Sequence, residues 1–213
     1  VILDPEVTRG LPSHLTAATG MDALSHSLEA LCAPSYHPMA EGIAMEGMRL
    51  VKHFLPRAVA EGNDLEARMQ MLVASSMGAT AFQKGLGAMH ALAHSLGALY
   101  DAHHGLLNAI LMPYVLEANA DKIGEKLSRA AAYLELVDAS YASFLDWVIE
   151  LRGAIGIPNM LSEIGIAAGE AERVGQMAVA GSAAGVVLGV TAVGTAAVRE
   201  EPHHQQRARR CHA

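Results

Sequence analysis

Two cysteines in 213 residues, Cys32 and Cys211, are too few for a disulfide framework, and nothing spaces them as a metal pair. Aromatic residues are scarce, at 4%, while Ala, Leu, Gly and Met are plentiful, a helical composition rather than a β-sandwich one. Positive charge is the minority sign: 15 Lys+Arg stand against 22 Asp+Glu, for a formal charge of −7. A body that acidic lacks the basic footprint that nucleic acid requires, so no nucleic-acid partner is expected. No initiator Met and no basic region ahead of an apolar stretch are present, so no secretory signal is visible and a cytoplasmic location is expected. No GxGxxG follows a strand-like run, no GxxxxGK[ST] occurs, and no repeat of 20–50 residues is evident.

What the chain does have is apolar bulk and histidine. Hydrophobic residues make up 52% and charged residues 17%, enough for a packed core, and 11 histidines are the anomaly. No sustained alternation of apolar and polar residues appears, which argues against a sheet. The expected class is all-α, a bundle-like helical domain. Helical stripes run over 19–32, about 38–61 with Pro56 kinking or ending the regular part, and about 64–82. After Gly85 and Gly87, further stripes start near Met89 and near Gly105 and occupy 122–136, 141–155 and 169–179.

The two ends differ from this middle. Val1-Ile2-Leu3-Asp4-Pro5 reads as the end of a strand or the connection leaving one, so the chain is taken as a piece of something longer. Ala178 to Val198 carries no charge and repeats glycine at 181, 185 and 189, but it lacks an aromatic belt and is not read as a membrane span. Residues 1–178 are expected to form the helical domain. Residues 179–213 form an Ala/Gly-rich and then basic tail, expected to be solvated and frayed, whose composition resembles translation in a shifted reading frame.

Three groupings carry chemistry. Asp22 and His26 lie four apart, on one face of a helix, and can share an ion; alone, such a pair is as often a surface pair or a cap. His90 and His94 repeat that spacing on an Ala/Leu-rich stripe, where unpartnered imidazoles are costly to bury. His103-His104 follows. On one continuous helix the 14 residues from His90 to His104 would span roughly 21 Å, so a shared ion needs a turn, for which Gly97 and Tyr100-Asp101 offer a place. Nitrogen and carboxylate donors without thiolate suit Fe²⁺ or Zn²⁺ rather than Ca²⁺. Spacing does not choose between His90 and His94, or between His103 and His104. His14, His37 and His53 read as solvated.

The run Thr16-Ala17-Ala18-Thr19-Gly20-Met21-Asp22-Ala23-Leu24-Ser25-His26 resembles the entry to the helical domain of iron-containing (group III) alcohol dehydrogenases. So do Gly87-Ala88-Met89-His90-Ala91-Leu92-Ala93-His94, then His104-Gly105 with Asn108-Ala109-Ile110-Leu111-Met112-Pro113, and Gly156-Ile157-Pro158 with Leu161-Ser162-Glu163-Ile164-Gly165. The resemblance covers roughly residues 1–178. It implies the C-terminal half of a two-domain enzyme, with metal ligands Asp22, His26, His90 and His104 and with His94 on the substrate side. It also implies Fe²⁺ (or Zn²⁺), with NAD or NADP held mainly by an N-terminal domain absent here. The expected partners are a small alcohol or aldehyde and further copies of the chain in a homo-oligomer. A glycerol dehydrogenase or hydroxyacid–oxoacid transhydrogenase would use the same constellation. A non-catalytic metal-binding remnant and a mononuclear helical hydrolase are the rivals in other classes.

Overall fold

A computed structural model describes residues 1–181. Among them are eight α-helices, short 3-10 turns and no strand, so the molecule is all-α as its composition predicts. The long helices are α1 (Ser13–Cys32), α2 (Pro38–Ala60), α3 (Leu65–Ala81) and α4 (Ala88–Tyr100). After them come α5 (His104–Ala118), α6 (Ala120–Tyr133), α7 (Tyr141–Ala154) and α8 (Ala171–Gly181). None is long and apolar enough to cross a membrane among the described residues. Most of the 179–213 tail lies outside them.

Helix α1 is the axis of the molecule. It packs on α2, α3 and α5, and nearly every residue from Thr16 to Leu31 is buried. Met21, Leu24, Leu28 and Leu31 make its core stripe, all almost fully buried. Each such side chain contributes about 1.5–3 kcal/mol by leaving water. A second stripe, Asp22, His26 and Glu29, follows the i, i+4, i+7 spacing of one helical face and carries the polar groups inward. The helix starts at Ser13, six positions before the Thr19 start expected from periodicity. The first turn after Pro12 has Leu15 as its one large apolar residue, too little for a periodic signal, yet Thr16, Ala17 and Ala18 are buried at and just after its end.

Close approach is bought with glycine at two points beside that polar stripe. A Cβ on Gly105 would sit 2.5 Å from the Ala18 carbonyl oxygen, and one on Gly78 would sit 3.0 Å from the His26 Cβ. Both distances are at or below what real Cβ atoms show, so α5 and α3 can lie this near α1 only without a side chain at those positions.

Local signals set the helix ends. Asp64 Oδ1 accepts the Ala67 N–H at the start of α3, and Ser140 Oγ accepts the Ser143 N–H at the start of α7. Two histidines do the same work. His37 Nδ1 accepts the Ala40 N–H for α2, so this histidine, exposed as expected, also caps a helix. His103 Nδ1 accepts the Leu106 N–H for α5. Pro56 lies inside α2, which continues through it to Ala60. Asp101, in the left-handed region at φ 51°, closes α4 and donates its N–H to the Gly97 carbonyl. The chain turns there, not at Gly97, and α5 runs back beside α4.

Candidate metal centre

Three helices each bring one polar pair at i, i+4 spacing to a common place: Asp22 and His26 from α1, His90 and His94 from α4, His104 and Asn108 from α5. The turn at Asp101 lets α4 and α5 present theirs side by side. One donor atom each from Asp22, His90 and His104 lies within 4.8 Å of the other two. Nε2 of His104 is 3.7 Å and Nε2 of His90 is 3.9 Å from Asp22 Oδ1.

His26 stands at the edge of this triangle. Its Nε2 is 4.0 Å from the other Asp22 oxygen, Oδ2, and its ring stacks on His90 with centroids 4.8 Å apart. His94 is exposed. It lies edge-on to His90 at 6.0 Å and stacked on His104 at 5.1 Å. His103 is turned to solvent and spent on its cap, so of the 103–104 pair only His104 joins the cluster. The side-chain exposures of 3% at His90 and 39% at His104 give the site a closed wall on α4 and an open side toward His94 and His104.

Glu29 decides what His90 can do. Its Oε2 lies 2.7 Å from His90 Nδ1, and the carboxylate also accepts the N–H groups of Gly87 at 2.7 Å and Met89 at 2.8 Å. The two amides belong to the first turn of α4, where a buried anion completes unpaired donors and faces the positive end of the helix dipole. A carboxylate accepts only, so His90 Nδ1 carries a hydrogen and Nε2 is the nitrogen that faces Asp22. Burial lowers the pKa of His26 and of His104, opposed in each by the Asp22 charge, which leaves these imidazoles unprotonated more readily than in water.

Sequence reasoning assigned no role to Glu29 or Asn108. Both are single polar residues in apolar surroundings, Glu29 seven positions after Asp22 and Asn108 four after His104, and helical spacing from a suspected ligand was the available signal. Asn108 is fully buried, with Nδ2 2.7 Å from Asp22 Oδ1, 3.1 Å from His104 Nε2 and 3.2 Å from His90 Nε2.

Chemically, the arrangement is a set of convergent donor atoms, two imidazole nitrogens and a carboxylate, and among the described residues no lysine or arginine lies within ion-pair reach of Asp22. Donors of this kind fit a borderline divalent cation, and Glu29 behind His90 has the form of an outer carboxylate that orients a ligand imidazole.

Comparison with known proteins identifies the family of this helical body. Residues 16–193 match the family model described as "Fe-containing alcohol dehydrogenase family, C-terminal". The chain is 41% identical over 174 residues to 4-hydroxybutyrate dehydrogenase of Cupriavidus necator, covering 78% of this chain and 45% of that protein. It is 39% identical over 185 residues to 1,3-propanediol dehydrogenase of Klebsiella pneumoniae, covering 83% and 48%. The crystal structure of a 1,3-propanediol oxidoreductase superposes with a TM-score of 0.84 at 34% identity, over 91% of this chain and 54% of that one. An iron-containing alcohol dehydrogenase from Thermococcus thioreducens gives 0.83 at 27%, over 94% and 55%. The chain thus spans about half the length of the relatives it matches. It belongs to the Fe-containing alcohol dehydrogenase family and corresponds to the C-terminal, helical part of its members.

Proposed function

We propose that this chain is the metal-holding half of a nicotinamide-dependent oxidoreductase that interconverts a small alcohol and its aldehyde or ketone. The observation that carries the reading is the convergence of Asp22 Oδ1, His90 Nε2 and His104 Nε2 on one point of the helical body. Asp22, His90 and His104, with His26 completing the set, would hold Fe²⁺ or, by the same donor chemistry, Zn²⁺. When bound, such an ion supplies Lewis acidity toward a substrate oxygen, and NAD or NADP, held mainly by protein outside this chain, supplies hydride transfer.

The residues present do the rest. Glu29 keeps the hydrogen on His90 Nδ1, which fixes the ring's tautomer and aims Nε2 at the site. Burial of His26 and His104 works to the same end, since a protonated imidazole cannot bind a cation. His94 stands exposed on the open side, one helical turn from His90 and stacked on His104, where a substrate hydroxyl would enter. There it orients the substrate and receives or returns the hydroxyl proton at a ring nitrogen. Two relatives are named for 4-hydroxybutyrate and 1,3-propanediol, so short primary alcohols with a second polar end are the substrates to try first.

The test joins this chain to the nucleotide-binding half of the Klebsiella pneumoniae relative and follows NAD⁺ reduction with 1,3-propanediol and 4-hydroxybutyrate. Turnover that disappears with a chelator, returns with Fe²⁺ or Zn²⁺, and falls at least tenfold in His94→Ala supports the reading, tenfold being about the low end of what a positioned acid–base group contributes. Turnover indifferent to chelation contradicts it.

A further inference from the structure

Two arginines are almost wholly buried, Arg68 on α3 at 3% exposed and Arg152 on α7 at 2%. A guanidinium that far from water normally has a carboxylate beside it. Among the described residues the ion pairs of lysine and arginine involve Arg9, Arg49, Arg57, Lys84, Arg129 and Arg173, and neither buried arginine. Arg152 is enclosed by oxygens instead. It donates to the carbonyls of Ile110 and Asn159 and to Asn159 Oδ1, and its Nε is sealed off.

Arg68 is left open. Its Nε donates to the Gly62 carbonyl, and its Nη2, at 3.5 Å, to that of Leu11. A guanidinium has five N–H hydrogens, so three are unused, both of those on Nη1 among them. Nη1 is not among the sealed polar atoms, so it borders open space. That space is a cavity of about 140 Å³ between the 3-10 turn Pro5–Thr8, the first half of α1, and α3.

The lining suits a negative occupant. No Asp or Glu takes part in it, although the chain carries a net charge of −7. Hydroxyls do. Those of Thr8, Thr16 and Thr19 commit their hydrogens to the carbonyls of Pro5, Leu11 and Leu15, which leaves their oxygens as acceptors. Ser75, exposed at the mouth, adds an uncommitted hydroxyl. A neutral occupant would leave the buried charge unanswered. A carboxylate or phosphate offers two oxygens to the guanidinium fork, in bonds about twice as strong as neutral ones. Inorganic phosphate also carries a hydroxyl hydrogen at neutral pH, for which the threonine oxygens are acceptors.

We propose that this cavity is an oxyanion site, in which the Arg68 guanidinium holds one phosphate or carboxylate group. The occupant would join three pieces of chain, since Thr8, Thr16 and Arg68 come from the 3-10 turn, α1 and α3. None of Asp22, His90 and His104 lines the cavity, so the proposal stands without the metal-binding reading.

The test is isothermal titration calorimetry of the full chain, stripped of metal by a chelator and desalted, with inorganic phosphate and with acetate at fixed ionic strength. Wild type is expected to bind one anion per chain with millimolar affinity. Arg68→Met keeps an unbranched side chain without its charge and should bind at least tenfold more weakly. Tenfold is 1.4 kcal/mol, about the low end of one hydrogen bond to a charged group. Ser75→Phe, two helical turns along α3, crowds the mouth from an exposed position and should weaken binding as well. Tighter phosphate names phosphate as the occupant and tighter acetate names a carboxylate, and either supports the site. Circular dichroism checks that the variants are folded, and if Arg68→Met is not, Ser75→Phe decides alone. No saturable binding of either anion, or wild-type affinity in the variant that decides, would overturn the proposal.

Discussion

Helix α1 gathers oxygen and nitrogen acceptors at two places, and the two are completed in opposite ways. At its C-terminal end the last carbonyls have no helical partner, and lysines supply the hydrogens. Lys126 Nζ donates to the carbonyls of Leu31, Cys32 and Ala33 at 3.0, 3.3 and 2.7 Å, while Lys84 reaches Leu31 and pairs with Glu41 at 3.0 Å. Cations there also meet the negative end of the helix dipole. Two turns earlier, Asp22 and the imidazoles facing it form an equally dense set of acceptors, but the hydrogen bonds offered to the three donor atoms come from the Asn108 amide and the Ser25 hydroxyl, which sits 3.4 Å from Asp22 Oδ1. The lesson is that clustered acceptors alone do not mark a site. The cluster at the C-terminal end carries its own ammonium groups, and the one around Asp22, which has none, is the one we propose takes a cation from outside.

This contrast can be tested from either end. Outside the donor atoms themselves, the largest effect is expected from Glu29→Gln, which removes the anion that keeps the hydrogen on His90 Nδ1. Affinity for Zn²⁺, measured by chelator competition, should fall about 10- to 100-fold, as it does when outer partners of ligand histidines are lost. Gly105→Ala should disturb both fold and site, because its methyl meets the Ala18 carbonyl. The expected cost is about 1–3 kcal/mol in urea unfolding, with weaker Zn²⁺ binding as His104 is displaced.

Lys126→Met should act on stability alone, costing about 1–3 kcal/mol because three carbonyls lose a shared donor, with Zn²⁺ affinity unchanged. A change in metal affinity there would dissolve the distinction between the two clusters. The smallest effect concerns Cys32, beside Lys126. Its residue surface is only half-buried, yet desolvation of the thiol, opposed by Lys126, pushes the pKa up to about 12. In a Cys211→Ser background, its reaction with a disulfide reagent at pH 8 should be at least about tenfold slower than that of a peptide thiol of pKa about 8.5.

Much of the architecture was legible because burial imposes periodicity. The α6 stripe of Ile123, Leu127 and Ala130 is buried as its spacing predicts, and the Asp22/His26 and His90/His94 pairs lie on shared helical faces for the same reason. What was not legible depends on contacts distant in the chain. The hydrogen on His90 Nδ1 is set by Glu29, 61 positions away. His103 and His104 are neighbours of one type, and only the start of α5 assigns one to a cap and the other to the cluster. Asn108 in an apolar stretch carries no periodic signal of its own, and its meaning comes from the two helices that meet α5 there.

Equilibrium dialysis of the chain and of His104→Ala against Zn²⁺ and against Fe²⁺ without oxygen, followed by elemental analysis, addresses the central claim most directly. Convergent lone pairs predict one ion per wild-type chain and at least about 100-fold weaker retention in the variant, consistent with removal of a direct ligand costing more than the 10- to 100-fold of an outer partner. A wild-type chain that retains no ion, or a variant that holds it equally well, would contradict the account.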